Sequence, residues 1–150
     1  MRFRRSRFCP VLLAFLIVGG FSGTLYASTA ATFLPALETY PDGTDVPANQ
    51  SFEKTWTVRN SGTTTWNSGY YLQYLDGSLS TNRSNVYISG TVPPGSNYTF
   101  RVPMRTPSYA GTQREEWRFK SPSGATIYVD YSSIVWASIN VTAPPSVTSH

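Results

Sequence analysis

The sequence predicts an all-β protein, a two-sheet antiparallel β-sandwich of about seven to eight strands. Three observations predict it. Helical periodicity is missing after the first thirty residues. Gly, Pro, Ser, Thr and Asn punctuate the chain every eight to twelve residues, and the short segments between them are rich in aromatic and β-branched side chains. Several of those segments alternate apolar and polar residues, the period of a strand with one face inward.

The first predicted strand covers residues 32–40 and ends at Pro41-Asp42-Gly43, where proline presets φ and glycine supplies a positive φ. The second covers 52–60. Phe52, Trp56 and Val58 share one face, and Glu53, Thr55, Thr57 and Arg59 the other. Lys54 interrupts the inner face, which places it near a sheet end where its amine reaches solvent. Residues 70–75 are apolar on both sides, as in a central strand, and stop at Asp76-Gly77. A short strand follows at 85–89, then a turn at Pro93-Pro94-Gly95. Over 97–105, Tyr98, Phe100, Val102 and Met104 point inward. Pro103 falls on the outward set and lacks a ladder donor, which argues for an edge position or the end of pairing there. In 112–120, Glu115, Trp117 and Phe119 alternate with Arg114, Glu116, Arg118 and Lys120. A short strand at 127–129 and a last one at 134–141, with Val135, Ala137, Ile139 and Val141 on one face, complete the set.

Residues 1–30 read as a signal peptide. Arg2, Arg4, Arg5 and Arg7 precede the apolar run Val11–Val18, which softens into glycine and small residues. The run is shorter than the roughly 20 residues of a spanning helix; an uncleaved anchor is the other reading. Cleavage after Ala27 or Ala30 fits, and Ser28-Thr29-Ala30 favours Ala30 because both key positions are small. Export to a bacterial periplasm or the medium follows, with no stable membrane anchor after cleavage. Residues 143–150, with Pro144-Pro145, carry no pattern and are expected to be a disordered tail. The domain is then 31–142.

Of 12 basic residues four lie in the leader, which leaves eight against eight acids. A basic footprint for nucleic acid is therefore absent. The single cysteine, Cys9, is also in the leader, so the exported domain must hold together by its apolar core without a disulfide. No catalytic set is legible. The single histidine, His150, ends the tail, where nothing could orient it as a triad requires. No Cys/His group suits a metal, and no cofactor motif is present. Glu115 and Glu116 are strand neighbours on opposite faces and cannot share a site. Asp42, Asp45 and Asp130 could meet at one end around calcium, although turn aspartates ordinarily bond to nearby backbone.

The stretch YPDGTDVPANQSFEKTWTVRNSGTTTWNSGYYLQYLDG resembles the start of the four-tryptophan (FW) domain, the immunoglobulin-like central domain of the next-to-breast-cancer-one autophagy receptor, which bacterial exported proteins also carry. The matching residues are Pro41-Asp42-Gly43-Thr44, Phe52-x-Lys54-Thr55-Trp56, Asn60-x-Gly62-x-x-x-Trp66, Gly69-Tyr70-x-Leu72 and Pro94-Gly95; Trp117 and Trp136 complete the four tryptophans. The resemblance covers about 32–141 and implies an immunoglobulin-like fold and protein recognition. Ala125 to Ser133 departs from the family, being longer and lacking a Phe-Gly pair, which puts in question any family surface built there.

The expected core is Phe52, Trp56, Val58, Leu72, Phe100, Trp117, Phe119 and Ile139, from strand alternation and from the area an indole buries. The expected partner-binding residues are Trp66, Tyr70, Tyr71, Tyr128, Tyr131 and Trp136. Trp66 follows a turn, Trp136 lies opposite the Val135/Ala137/Ile139 face, and exposed aromatic groups mark binding sites. The favoured function is a non-catalytic module that binds a protein partner through a sheet edge or an aromatic patch. The alternative is carbohydrate binding, with sugars stacked on Trp66, Trp136, Tyr128 and Tyr131.

Overall fold

Eight strands form two sheets in the computed structural model, which describes residues 23, 24, 26–144 and 146. Most of the leader and all but three residues of the tail, His150 among them, lie outside the described residues. The strands are β1 (Ala31–Phe33), β2 (Thr44–Pro47), β3 (Ser51–Asn60), β4 (Tyr71–Asp76), β5 (Val86–Tyr87), β6 (Asn97–Arg105), β7 (Gly111–Lys120) and β8 (Val135–Thr142). One sheet has the order β1-β3-β6 and the other β2-β8-β7-β4-β5. All ladders are antiparallel except β2 with β8, which is parallel.

The two layers meet on the inward residues of the long strands. Phe52, Trp56, Val58, Leu72, Phe100, Trp117, Phe119 and Ile139 are all buried, and Trp56 Nε1 donates to the Trp136 carbonyl, tying one sheet to the other at 3.0 Å. Phe119 stands at the centre of the aromatic packing. Trp66 and Phe100 approach it edge-on at 4.9 and 5.3 Å between centroids, the geometry that ring quadrupoles favour.

The region before β3 differs from the predicted 32–40 strand. The strand ends at Phe33, with one further backbone bond from Leu34 N to the Thr57 carbonyl at 2.9 Å, because Pro35 opens a one-turn 3₁₀ helix, Pro35–Leu37, and proline cannot donate to a ladder. The chain then crosses to the other sheet, where β2 adds to the free edge of β8. The segment between covers the inner face of β3 at Lys54, which corrects the expected solvent position of that amine. Lys54 is fully buried; its amine donates to the Glu38 carboxylate and the Tyr40 carbonyl oxygen and lies 5.6 Å from the Trp56 ring centroid. Burial pulls the Lys54 pKa below its ordinary value, opposed by the hydrogen bond and charge of Glu38 and by the charge of Asp42. Thr55 and Thr57, expected to face water, are also buried, bonded to the Thr39 and Thr99 hydroxyls respectively.

Pro103 sits on β6, the edge of the three-stranded sheet, as its missing donor requires. Its carbonyl accepts from Thr81 N on the open side. A strand residue's N and O point the same way, so the absent N–H faces away from β3. The 127–129 segment forms isolated bridges rather than a strand: Val129 bridges to Ala31 and Ser132, and Thr126 just before it bridges to Lys120.

Val129 to Ser132 closes a two-residue turn in which each end donates its N–H to the other's carbonyl at 2.9 Å. Asp130 and Tyr131 both hold positive φ, 47° and 69°, the mirror-image turn that ordinarily takes Asn-Gly. Tyr131 is 96 % exposed, so its ring brings no packing to offset the strain. Tyr131→Gly is expected to raise stability by about 1 kcal/mol, read as a higher Tm in thermal unfolding. A lower Tm would mean that the ring has a stabilising contact after all.

Candidate functional site

A cleft of about 220 Å³ opens where the two sheets part, with Trp56 on the side of the three-stranded sheet and Trp136 on the side of the five-stranded one. Its walls are mainly apolar. Phe33, at the end of β1, and Ile134 and Val135, at the start of β8, complete them. Three carboxylates reach it from loops: Glu38 and Asp42 from the segment between β1 and β2, and Asp130 from the strained turn.

Each acid is held in place by the chain around it. Asp42 Oδ2 accepts Trp136 Nε1 at 2.8 Å, which fixes the indole in the wall. Asp130 Oδ2 accepts the Phe33 N–H at 3.0 Å, which docks the turn onto β1. Glu38 is matched by the buried Lys54. Among the described residues no cation lines the cleft. The nearby Lys54 is paired with Glu38 and shared with Asp42, so that the acids outnumber it. Asp42 and Asp130 each keep one oxygen without a hydrogen bond from a described residue. Trp136 is half-buried, with the Arg114 guanidinium stacked 4.7 Å from its ring centroid. Two unbalanced carboxylates against aromatic walls suit a cationic group, which gains from both the charge and the ring faces.

The six predicted partner-binding residues do not form one patch. Trp136 lines the cleft; Tyr128 and Tyr131, 55 % and 96 % exposed, are chain neighbours of its lining residues Val129, Asp130 and Ser132 but do not line it. Trp66 and Tyr70 require correction, because both are buried, Trp66 completely. The polar neighbours of Trp66 gave no sign of its two-way backbone bridge to Val92, and its indole packs edge-on against Phe119. Tyr70 packs on the same rings. Tyr71 is half-buried against Tyr87 at the β4–β5 edge of the five-stranded sheet, the edge opposite β2. A row of stacked rings for sugar therefore lacks Trp66, and with it the aromatic patch around Trp66, Tyr70 and Tyr71.

The sequence reading passed over Phe33 and Glu38 as strand residues and over Trp56 as pure core. Asp42 and Asp130 had been weighed together with Asp45, and the structure does bring those two to one cleft. Asp45 instead accepts from Asn140 Nδ2 on the β2–β8 edge. Among the described residues no group of three or more His, Cys, Asp and Glu side chains is arranged to hold a metal ion.

Comparison with known proteins adds a relationship to this geometry. A family model described as the Ig-like domain from next to BRCA1 gene matches residues 39–141. Protein ILRUN of Danio rerio is 28 % identical over 103 residues, 69 % of this chain and 35 % of that protein. Next to BRCA1 gene 1 protein of Mus musculus is 30 % identical over 115 residues, 75 % of this chain and 11 % of that protein. Protein NBR1 homolog of Arabidopsis thaliana is 30 % identical over 105 residues, 68 % of this chain and 14 % of that protein. The chain thus spans about a third or less of the length of these relatives.

Proposed function

The chain belongs to the family of Ig-like domains from next to BRCA1 gene, and from that premise we propose that it is a non-catalytic module that binds a protein partner. The observation that carries this reading is the cleft between Trp56 and Trp136, with its apolar walls and the unbalanced Asp42 and Asp130. A positively charged group on the partner enters it. The exposed Tyr128 and Tyr131, on the same loop as the lining residues Val129, Asp130 and Ser132, extend the contact onto the partner's surface. The leader-like residues 1–30 support an encounter outside the cytoplasm, in a bacterial periplasm or the medium.

The test is capture of partners from the native envelope or medium with the wild-type protein, Trp136→Ala and Asp42→Asn as baits, and Tyr87→Ala as a control on the other edge. Trp136→Ala is expected to weaken capture by about tenfold or more, the usual loss at an interface hot spot. Asp42→Asn should weaken it too, and reduce its salt sensitivity, since a screened charge contact is lost. Tyr87→Ala should bind as the wild type does. Equal recovery by all four would remove the cleft from the interface.

A further inference from the structure

Two bonds at the end of the leader compete for cleavage, and small residues at both key positions favour the later one, Ala30–Ala31. The folded domain argues otherwise, because residues 28–30 are built into it. Ser28 N donates to Thr63 Oγ1 at 2.8 Å, and its carbonyl accepts from Thr63 N and Thr64 N at 3.0 and 3.3 Å. The Ala30 carbonyl accepts from Ser61 N at 3.1 Å. These bonds carry the β1–β3 ladder past Asn60 and onto the following turn.

Gly62 is shaped for this segment. A Cβ there would stand 2.4 Å from the Ser28 carbonyl oxygen and 2.9 Å from the Ala30 nitrogen. The backbone of Gly62 is not in the left-handed region, so the close approach of 28–30, rather than conformation, is what calls for glycine.

The two cuts also differ in the charge they create. Ala31 is 4 % exposed, and its N–H is committed to the Tyr128 carbonyl at 3.1 Å. A cut there would discard the bonds of Ser28 and Ala30 and set the new ammonium on a nitrogen already committed to that carbonyl. Ser28 is exposed; an ammonium there stays hydrated and still donates to Thr63 Oγ1.

We propose that the processing site is the Ala27–Ser28 bond, and that the new N-terminus, Ser28 to Ala30, seats on the 60–64 turn as the lead-in to β1. A leader peptidase adds water across the amide. The C–N bond breaks, Ala27 leaves as the carboxylate end of the leader, and the Ser28 nitrogen takes up a proton as the ammonium. The proposal rests on the leader reading of residues 1–30 and is independent of the cleft.

The test expresses the full-length chain in an exporting bacterial host and determines the intact mass and N-terminal sequence of the product. A chain beginning at Ser28 is expected. One beginning at Ala31 or elsewhere, or one that keeps its leader, overturns the proposal. Ala27→Asp should leave the precursor uncut at this bond, because the peptidase requires a small residue there, whereas Ala30→Asp should be processed as usual; the reverse pattern overturns it. Gly62→Ala tests the seat separately. The mature variant should still begin at Ser28 but melt roughly 5 °C lower, and an unchanged Tm would show that the segment does not press on Gly62.

Discussion

Replacing Trp66 by alanine is expected to cost about 3–5 kcal/mol of folding stability, the usual range for deleting a fully buried large aromatic side chain. That is a large share of the roughly 5–15 kcal/mol that holds a domain folded. The indole is 0 % exposed, stands edge-on to Phe119 at 4.9 Å and at 6.4 Å from Tyr70. Its N–H has no acceptor among the described residues, so ring packing rather than hydrogen bonding carries its contribution. Trp66→Phe should therefore cost clearly less, since it keeps a ring against Phe119 and removes a donor that nothing satisfies. Urea denaturation of both variants measures the difference. Trp136→Ala provides the contrast, because that half-exposed ring should affect binding more than stability. A Trp66→Ala protein as stable as wild type would mean that the indole is not in the core.

Glu115→Ala is expected to be comparably damaging, by a different mechanism. Glu115 lies on β7 between the sheets and is fully buried, yet among the described residues it has no cationic partner. Its carboxylate is satisfied by donors alone. Oε2 accepts from Leu79 N and Ser80 N at 2.8 and 2.7 Å, and Oε1 from Trp117 Nε1 at 2.9 Å. These bonds pin the segment after Gly77 across the mouth of the sandwich. Gly77 itself has φ +121°, and a Cβ there would stand 2.6 Å from the Glu115 Cα. Alanine at 115 would orphan three buried donors, each costing about 1–3 kcal/mol when unsatisfied, for a total of roughly 3–6 kcal/mol because such losses are not additive. Glu115→Gln separates the donors. Its carbonyl can serve Leu79 and Ser80, but its NH₂ then faces the Trp117 N–H, so an intermediate loss of about 1–3 kcal/mol is expected. The comparison is made by denaturant unfolding, with hydrogen exchange at Leu79 and Ser80 as the local readout. Equal stability of the alanine and glutamine variants would show that the carboxylate does not hold this segment.

The long strands were legible because their instruction is local. In β3, β6, β7 and β8, alternate residues are apolar, and a pleated strand sends alternate side chains to one face wherever it lies. Pro103 could be placed at an edge for the same kind of reason, since a missing donor is a property of the residue itself. The segment from Ala31 to Pro47 was harder. Pro35 was a visible break, but β2 buries only Val46 of its four residues and owes its existence to the unpaired edge of β8. That edge is a product of the assembled sheet, and no pattern within Thr44–Pro47 announces it.

The site was less legible than the fold. Trp136 and the tyrosines at 128 and 131 could be named from alternation and from the turn-like loop, and the aspartates at 42 and 130 from their turns. Their meeting in one cleft depends on the crossing of the chain between β1 and β2 and on a hydrogen bond from β1 to the Val129–Ser132 turn.

By itself the amino-acid sequence determined the all-β class, the faces of the long strands, and a core of aromatic rings with no disulfide, because side-chain alternation and residue chemistry act over a few bonds. Only the tertiary structure decided that Trp66 is core, that Lys54 and Glu115 are buried, and that Trp136 shares a cleft with two unbalanced acids. Burial and charge balance are set by whichever distant segment comes to lie on top, and that is a property of the packed chain rather than of any window within it.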